Sequence, residues 1–192
     1  MSDFKKEWLS KAHIDHFAQF MTLWLGFNSW YRSHYSEIDK RDRAFIDKLK
    51  TDFTGRNQIY SRFCDLIAED PIKENLKFKS DLESLHYSLS RAAIKYPKGH
   101  YNYNVAFETA LYDYSRRKET TGYLNLIKLR RQPDKIKLDE IYIISDSQRF
   151  CPCLIEILYQ IRCLLFHGNL EPSDENHEVV KYCYLILFAL LK

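Results

Sequence analysis

Apolar residues recur along this chain at three- and four-residue steps, the period of an α-helix packed on one side. The first run includes Phe4, Trp8, Ala12, Phe17, Phe20, Met21, Trp24, Asn28, Tyr31 and Tyr35 and predicts a helix over about residues 4 to 34. Asn28 falls on that stripe one turn after Trp24, so a polar partner is expected to face it. Further helices are predicted over about 40 to 50, 55 to 69 (ending before Pro71) and 72 to 93. The last of these carries Leu76, Leu82, Leu85 and Leu89 and is closed by Pro97 and Gly99. Residues 98 to 147 lose the helical period. They read as an insertion, with a short helix near 104 to 117 and a strand near 140 to 144. The period returns in a fifth helix over about 149 to 167 and, after a polar link from Asn169 to Asn176, a last helix over about 177 to 191.

The expected fold is therefore all-α: one domain over 1 to 192, an up-down bundle of four to five core helices with an irregular insertion near 98 to 147. The 192 residues suffice for a sizeable core, and few Gly and Pro, five of each, favour long helices over an all-β fold. The fifth helix is apolar on nearly all sides, so it is expected to be covered on more than one, by the domain core and by a partner subunit.

Net charge is only +3, but it is uneven. Between 116 and 137, Arg116, Arg117, Lys118, Lys128, Arg130, Arg131, Lys135 and Lys137 stand against Glu119 and Asp134. Such a segment can steer a phosphate backbone or simply be a solvated loop. The five Cys are odd in number and irregularly spaced, as expected of reduced thiols in the cytoplasm. No signal-peptide pattern opens the chain. The longest apolar run, Tyr182 to Leu191, is ten residues, too short to span a bilayer, so no membrane partner is expected.

Familiar catalytic and metal patterns are missing. His13 and His16 lack further ligands, and Glu83-Ser-Leu-His86 has one half of a di-iron spacing without the other. Cys151-Pro-Cys153 has no second pair. No metal and no cofactor are expected.

The segment with most chemistry is Tyr159-Gln-Ile-Arg162-Cys-Leu-Leu-Phe-His167-Gly168. An Arg among apolar neighbours is costly unless it is paired or used. On a continuous helix Arg162 and His167 would lie roughly 140° apart. They can share one site only if the helix ends near His167, as Gly168 allows, or if a second copy supplies the other half. A purely structural reading places His167 at the helix C-terminal dipole and pairs Arg162 with a carboxylate.

The motif has a context. Ile155-Glu-Ile-Leu-Tyr-Gln-Ile-Arg-Cys-Leu-Leu-Phe-His-Gly-Asn169 is followed by a final Tyr/Leu-rich helix, and the first helix ends in Leu23-Trp-Leu-Gly-Phe-Asn-Ser-Trp-Tyr31. Together these resemble the HEPN superfamily, helical domains of prokaryotic defence and toxin systems, over roughly 23 to 35 and 150 to 191. The resemblance implies a homodimer and a metal-independent endoribonuclease in which the Arg-x4–6-His motifs of two protomers meet in one cleft. Arg162 and His167 would be the catalytic pair and Asn28 a supporting residue. RNA would be the substrate, with Arg116, Arg117, Lys128, Arg130 and Arg131 as candidate RNA-binding residues, and an antitoxin protein would be a possible partner. Cys163 and Leu164 stand where many relatives carry a polar residue after the Arg, and Asn169 where adenylylated members carry Tyr. The alternative is thus a non-catalytic module of the same fold that binds RNA, a nucleotide or a protein.

Overall fold

The computed structural model describes residues 15–38, 41–69, 72–98, 100–111 and 123–192. Its helices are α1 (His16–His34), α2 (Asp42–Thr51), α3 (Gln58–Ile67), α4 (Lys73–Ala92), α5 (Ser147–Phe166) and α6 (Asp174–Leu191). Between α4 and α5 the described residues form seven short strands: β1 (Lys95–Lys98), β2 (Tyr101–Asn104), β3 (Ala110–Leu111), β4 (Tyr123–Leu124), β5 (Ile127–Lys128), β6 (Lys135–Lys137) and β7 (Tyr142–Ile144). They pair antiparallel as β1-β2, β3-β4 and β5-β7-β6.

The protein is thus mostly helical with small sheets, which corrects the all-α expectation. The insertion is built of β-pieces, and the helix expected near 104 to 117 is a 3-10 turn, Phe107–Thr109, followed by β3. Residues 112–122 lie outside the described part. Two- to four-residue strands are too short to imprint a clear alternation on a sequence. Buried residues of the insertion, Val105, Phe107, Leu126 and Ile143 among them, join the same apolar cluster as the helices.

Helix α1 begins at His16, not near residue 4. Asp15 is extended (φ −79°, ψ 90°) and its carboxylate accepts the amides of Phe17 and Ala18 at 2.9 and 3.2 Å. That N-cap sets the start of this helix; the expected apolar positions Phe4, Trp8 and Ala12 lie outside the described residues. The inner face of α1 is an aromatic ladder of Phe20, Trp24, Phe27 and Tyr31, all fully buried. Trp24 meets Phe27, and Phe27 meets Tyr31, edge-on at 5.1 Å between centroids. Burial of each ring contributes roughly 1.5–3 kcal/mol.

Two helix ends differ from expectation. Helix α4 stops because Ala93 turns left-handed (φ 48°, ψ 38°), whereas Pro97 sits in β1 opposite Asn102. Helix α6 starts three residues earlier than predicted, because Ser173 caps it through the Asn176 amide. On α4, Leu76 is 56% exposed, and Phe78 instead belongs to the buried face with Leu82, Leu85 and Leu89.

Helix α5 is central. From Phe150 to Leu164 every residue is buried except Pro152 and Arg162, which are half-buried. The chain itself supplies the cover: α1, α2, α3, α6, β3 and β7 all touch α5. The second apolar side, expected to await a partner subunit, is therefore occupied along most of its length by this chain's own elements.

One polar residue holds the insertion to the helices. Glu83 on α4 is buried, and its carboxylate accepts the amides of Asp139, Glu140 and Ile141 at 2.9, 2.9 and 3.2 Å. The glutamate that looked like half a metal site is an anchor for the loop before β7.

Candidate functional site

Helix α2 crosses α5, and its first turn delivers Asp42 to Arg162. The Oδ2 of Asp42 lies 3.1 Å from Arg162 Nη2 and 3.4 Å from Asn28 Nδ2. Its Oδ1 is bonded to the guanidinium of Arg32, whose Nε donates to Asn28 Oδ1 at 2.6 Å. Asn28 and Arg32 are one helical turn apart on α1, so one face of that helix presents both. The polar partner expected for Asn28 is therefore present, and it is shared with Arg162.

Arg162 is 14% exposed. Its guanidinium lies 4.1 Å from the Phe166 ring centroid and 5.9 Å from that of Trp24, so aromatic faces cover much of the cation. Arg162 Nε is buried and meets no hydrogen-bond partner, and the buried Tyr31 Oη and Trp24 Nε1 have none outside each other. Burial, together with Asp42, raises the Tyr31 phenol to about 12, although Arg162, Arg32 and a hydrogen bond from Trp24 pull it down. The phenol therefore stays protonated and remains a donor.

A second ionic group fixes how α2 sits on α5. Glu156, buried two turns before Arg162, receives Lys50 Nζ at 2.7 Å and Arg43 Nη1 at 2.8 Å. Gln160 donates to it at 3.3 Å. Burial pushes the Glu156 carboxyl up, but Lys50 and Arg43 outweigh it and hold it at about 2. Arg43 also lies over the Tyr159 ring, 5.3 Å from its centroid. Because Asp42 and Arg43 are adjacent, the Glu156 contacts set the position of Asp42.

His167 is placed differently. Helix α5 ends at Phe166, His167 is its C-cap (φ −91°, ψ 5°), and Gly168 turns left-handed at φ 67°. The predicted stop is therefore real, and its reason is the glycine. The His167 amide donates to the Cys163 carbonyl at 3.1 Å, and the imidazole is exposed. No hydrogen bond, ion pair or ring contact joins it to Arg162. Within one chain the structure brings Asn28 and Arg162 together, through Asp42, but not Arg162 and His167. The two features of the structural reading, a carboxylate on Arg162 and His167 at a helix C-terminus, are both present.

The basic segment is partly described. Lys128 is half-buried on β5, and Arg130 and Arg131 are exposed in the turn toward β6, beside Leu129 at 71% exposure. Arg116 and Arg117 lie outside the described residues. Among the described residues no three His, Cys, Asp or Glu side chains are grouped to hold a metal. His16 Nδ1 and His177 Nε2 meet at 3.2 Å, tying the starts of α1 and α6. No described helix is long and apolar enough to cross a membrane.

Asp42, Arg32 and Tyr31 were not singled out from sequence as site residues. Arg32 carried a signal, its i, i+4 spacing from Asn28. Asp42 carried none, because it meets Arg162 only through the packing of α2 on α5. Comparison with family models, with curated proteins and with solved structures finds no match for this chain.

Proposed function

We propose that this chain is a HEPN-type, metal-independent endoribonuclease, a toxin or phage-defence component that acts as a homodimer. The observation that carries the reading is the state of Arg162. A guanidinium retained only for packing would have its buried N–H groups satisfied. Here Nε has no partner, two guanidiniums share one carboxylate, and an exposed imidazole stands five residues on at the helix end.

RNA carries its own nucleophile, the 2′-hydroxyl. His167 takes or returns the proton as general base or acid. Arg162 binds the scissile phosphate and stabilises the charge of the transition state. Attack of the 2′-oxygen on phosphorus breaks the P–O5′ bond and leaves a 2′,3′-cyclic phosphate and a 5′-hydroxyl. In the dimer, the two Arg162/His167 motifs line one cleft, so the missing intrachain contact between them is made across protomers. Lys128, Arg130 and Arg131 guide the RNA backbone.

The test is RNA cleavage in EDTA by wild type, Arg162→Ala and His167→Ala, with product ends analysed. Cyclic-phosphate ends and a loss of about 10²–10⁴-fold in each variant are expected. Undiminished cleavage by His167→Ala would overturn the roles. The second reading, a binding module without catalysis, is favoured by Asp42 already occupying Arg162 and by Cys163 and Leu164 after it. Its sign is RNA affinity with no product, weakened by charge removal at Arg130 and Arg131.

A further inference from the structure

The cluster around Asp42 holds more positive charge and more donors than its one carboxylate can satisfy. Asp42 uses its two oxygens separately: Oδ1 meets Arg32, and Oδ2 meets Arg162 and Asn28. A two-oxygen anion bridging two guanidiniums is also how the two non-bridging oxygens of a phosphodiester would sit there. Beside it, Arg162 Nε and the Tyr31 hydroxyl have no acceptor, and Trp24 Nε1 has none but the Tyr31 oxygen. Both aromatic residues are 0% exposed, so water at the surface does not satisfy them. The three groups are neighbours: the Arg162 guanidinium is 5.9 Å from the Trp24 ring, and Trp24 and Tyr31 both pack edge-on against Phe27. Buried donors without partners, gathered beside an excess of cations, need an anion.

The cluster also has an entrance. The Arg32 side chain is 47% exposed and that of Asp42 20%, so solvent reaches the cluster from the α1–α2 side. Asp42 is the first residue of α2, and Arg41 before it makes no side-chain cap. A carboxylate at a helix start can swing aside by side-chain rotation, whereas the donors sit within α1 and α5 and stay in place.

We infer that Arg32, Arg162 and the Tyr31 hydroxyl form a phosphate-binding subsite in which the Asp42 carboxylate is the resident anion, displaced when a phosphodiester enters. Arg32 is then a second phosphate ligand beside Arg162. Asp42 is a built-in competitor that keeps the site closed to weakly binding anions. The identity of the ligand as an RNA phosphodiester rests on the function proposed above; the anion site itself does not.

The experiment titrates the full chain with inorganic phosphate, and separately with a 2′-O-methyl tetranucleotide that cannot be cleaved, by calorimetry. Wild type is compared with Asp42→Asn, Arg32→Gln and Tyr31→Phe, with the fold checked by circular dichroism. Asp42→Asn is expected to bind phosphate about tenfold more tightly and Arg32→Gln about tenfold more weakly. Tyr31→Phe, which deletes a buried hydroxyl that has no acceptor, is expected to weaken phosphate binding several-fold. A folded Asp42→Asn protein that binds phosphate no more tightly than wild type overturns the competitor role. Should Asp42→Asn not fold, Tyr31→Phe and Arg32→Gln decide, and wild-type affinity in both overturns the subsite. Tightening for phosphate with an unchanged oligonucleotide affinity refutes the phosphodiester assignment while the anion site stands. Cleavage is not read, so an inactive nuclease leaves the outcome intact.

Discussion

Replacing Glu156 by Gln removes the charge that seats α2 on α5 and leaves Lys50, 6% exposed at its side chain, with Asp47 as its remaining carboxylate at 3.1 Å. The size of the effect follows from the Glu156 carboxyl, held at about 2 against an ordinary 4.5. That difference corresponds to about 3 kcal/mol in favour of the folded state, since each pH unit is about 1.4 kcal/mol. The folded-state pKa is depressed, so the contribution is complete above the unfolded value of 4.5 and is lost as pH falls through about 2. At pH 5 nearly all of it remains; at pH 3 roughly 1.5 kcal/mol does. Urea unfolding of wild type and Glu156→Gln, followed by circular dichroism at both pH values, reads this directly. The variant should be less stable by about 3 kcal/mol at pH 5 and by about half that at pH 3. At neutral pH its Tm should fall by roughly 6–12 °C. A stability difference that stays constant between pH 5 and pH 3, or one below about 0.5 kcal/mol at pH 5, would refute the claim that a buried ionic contact organises the α2–α5 junction.

Four further outcomes follow from the same physics. Ala93→Gly should stabilise the protein by about 0.5–1 kcal/mol, because Ala93 is left-handed at φ 48°. Gly168→Ala should cost about 1–2 kcal/mol from backbone strain alone, since a Cβ there meets nothing within 4 Å; thermal melts check both. Glu83→Ala, which strips the shared acceptor from three backbone amides, should cost about 1–3 kcal/mol. Hydrogen exchange should rise first at residues 139–141 and leave the α1 ladder protected. Trp24→Phe keeps an aromatic ring in this fully buried position, so it should cost far less than the roughly 3–5 kcal/mol of Trp24→Ala in chemical denaturation.

The sequence by itself determined the helices of this protein and the place where the chemistry-bearing one stops. Spacing of Phe20, Trp24 and Tyr31 marks α1, and Gly168 after an apolar run marks the end of α5. These signals are local: a helix bonds each residue to one four positions away, so its buried face repeats at that interval in the chain. Even there neighbours could be misjudged. Phe27 is buried and Asn28 only half-buried beside it, because the ladder turns slightly off the stripe that Asn28 suggests.

Tertiary structure alone decided which charges meet. Asp42 and Arg162 are 120 positions apart, and Lys50 and Glu156 are 106 apart. No local rule links such pairs; they meet because the apolar faces of α2 and α5 pack and carry their polar residues along. The same holds for Glu83, whose partners are backbone amides more than fifty positions away, and for the strands of the insertion. Strands of two to four residues have no period of their own to display and acquire order from pairing and from the core beneath them. The helical scaffold is thus written in short-range repetition, whereas the charged junctions that give Arg162 its surroundings arise only when distant helices close on one another.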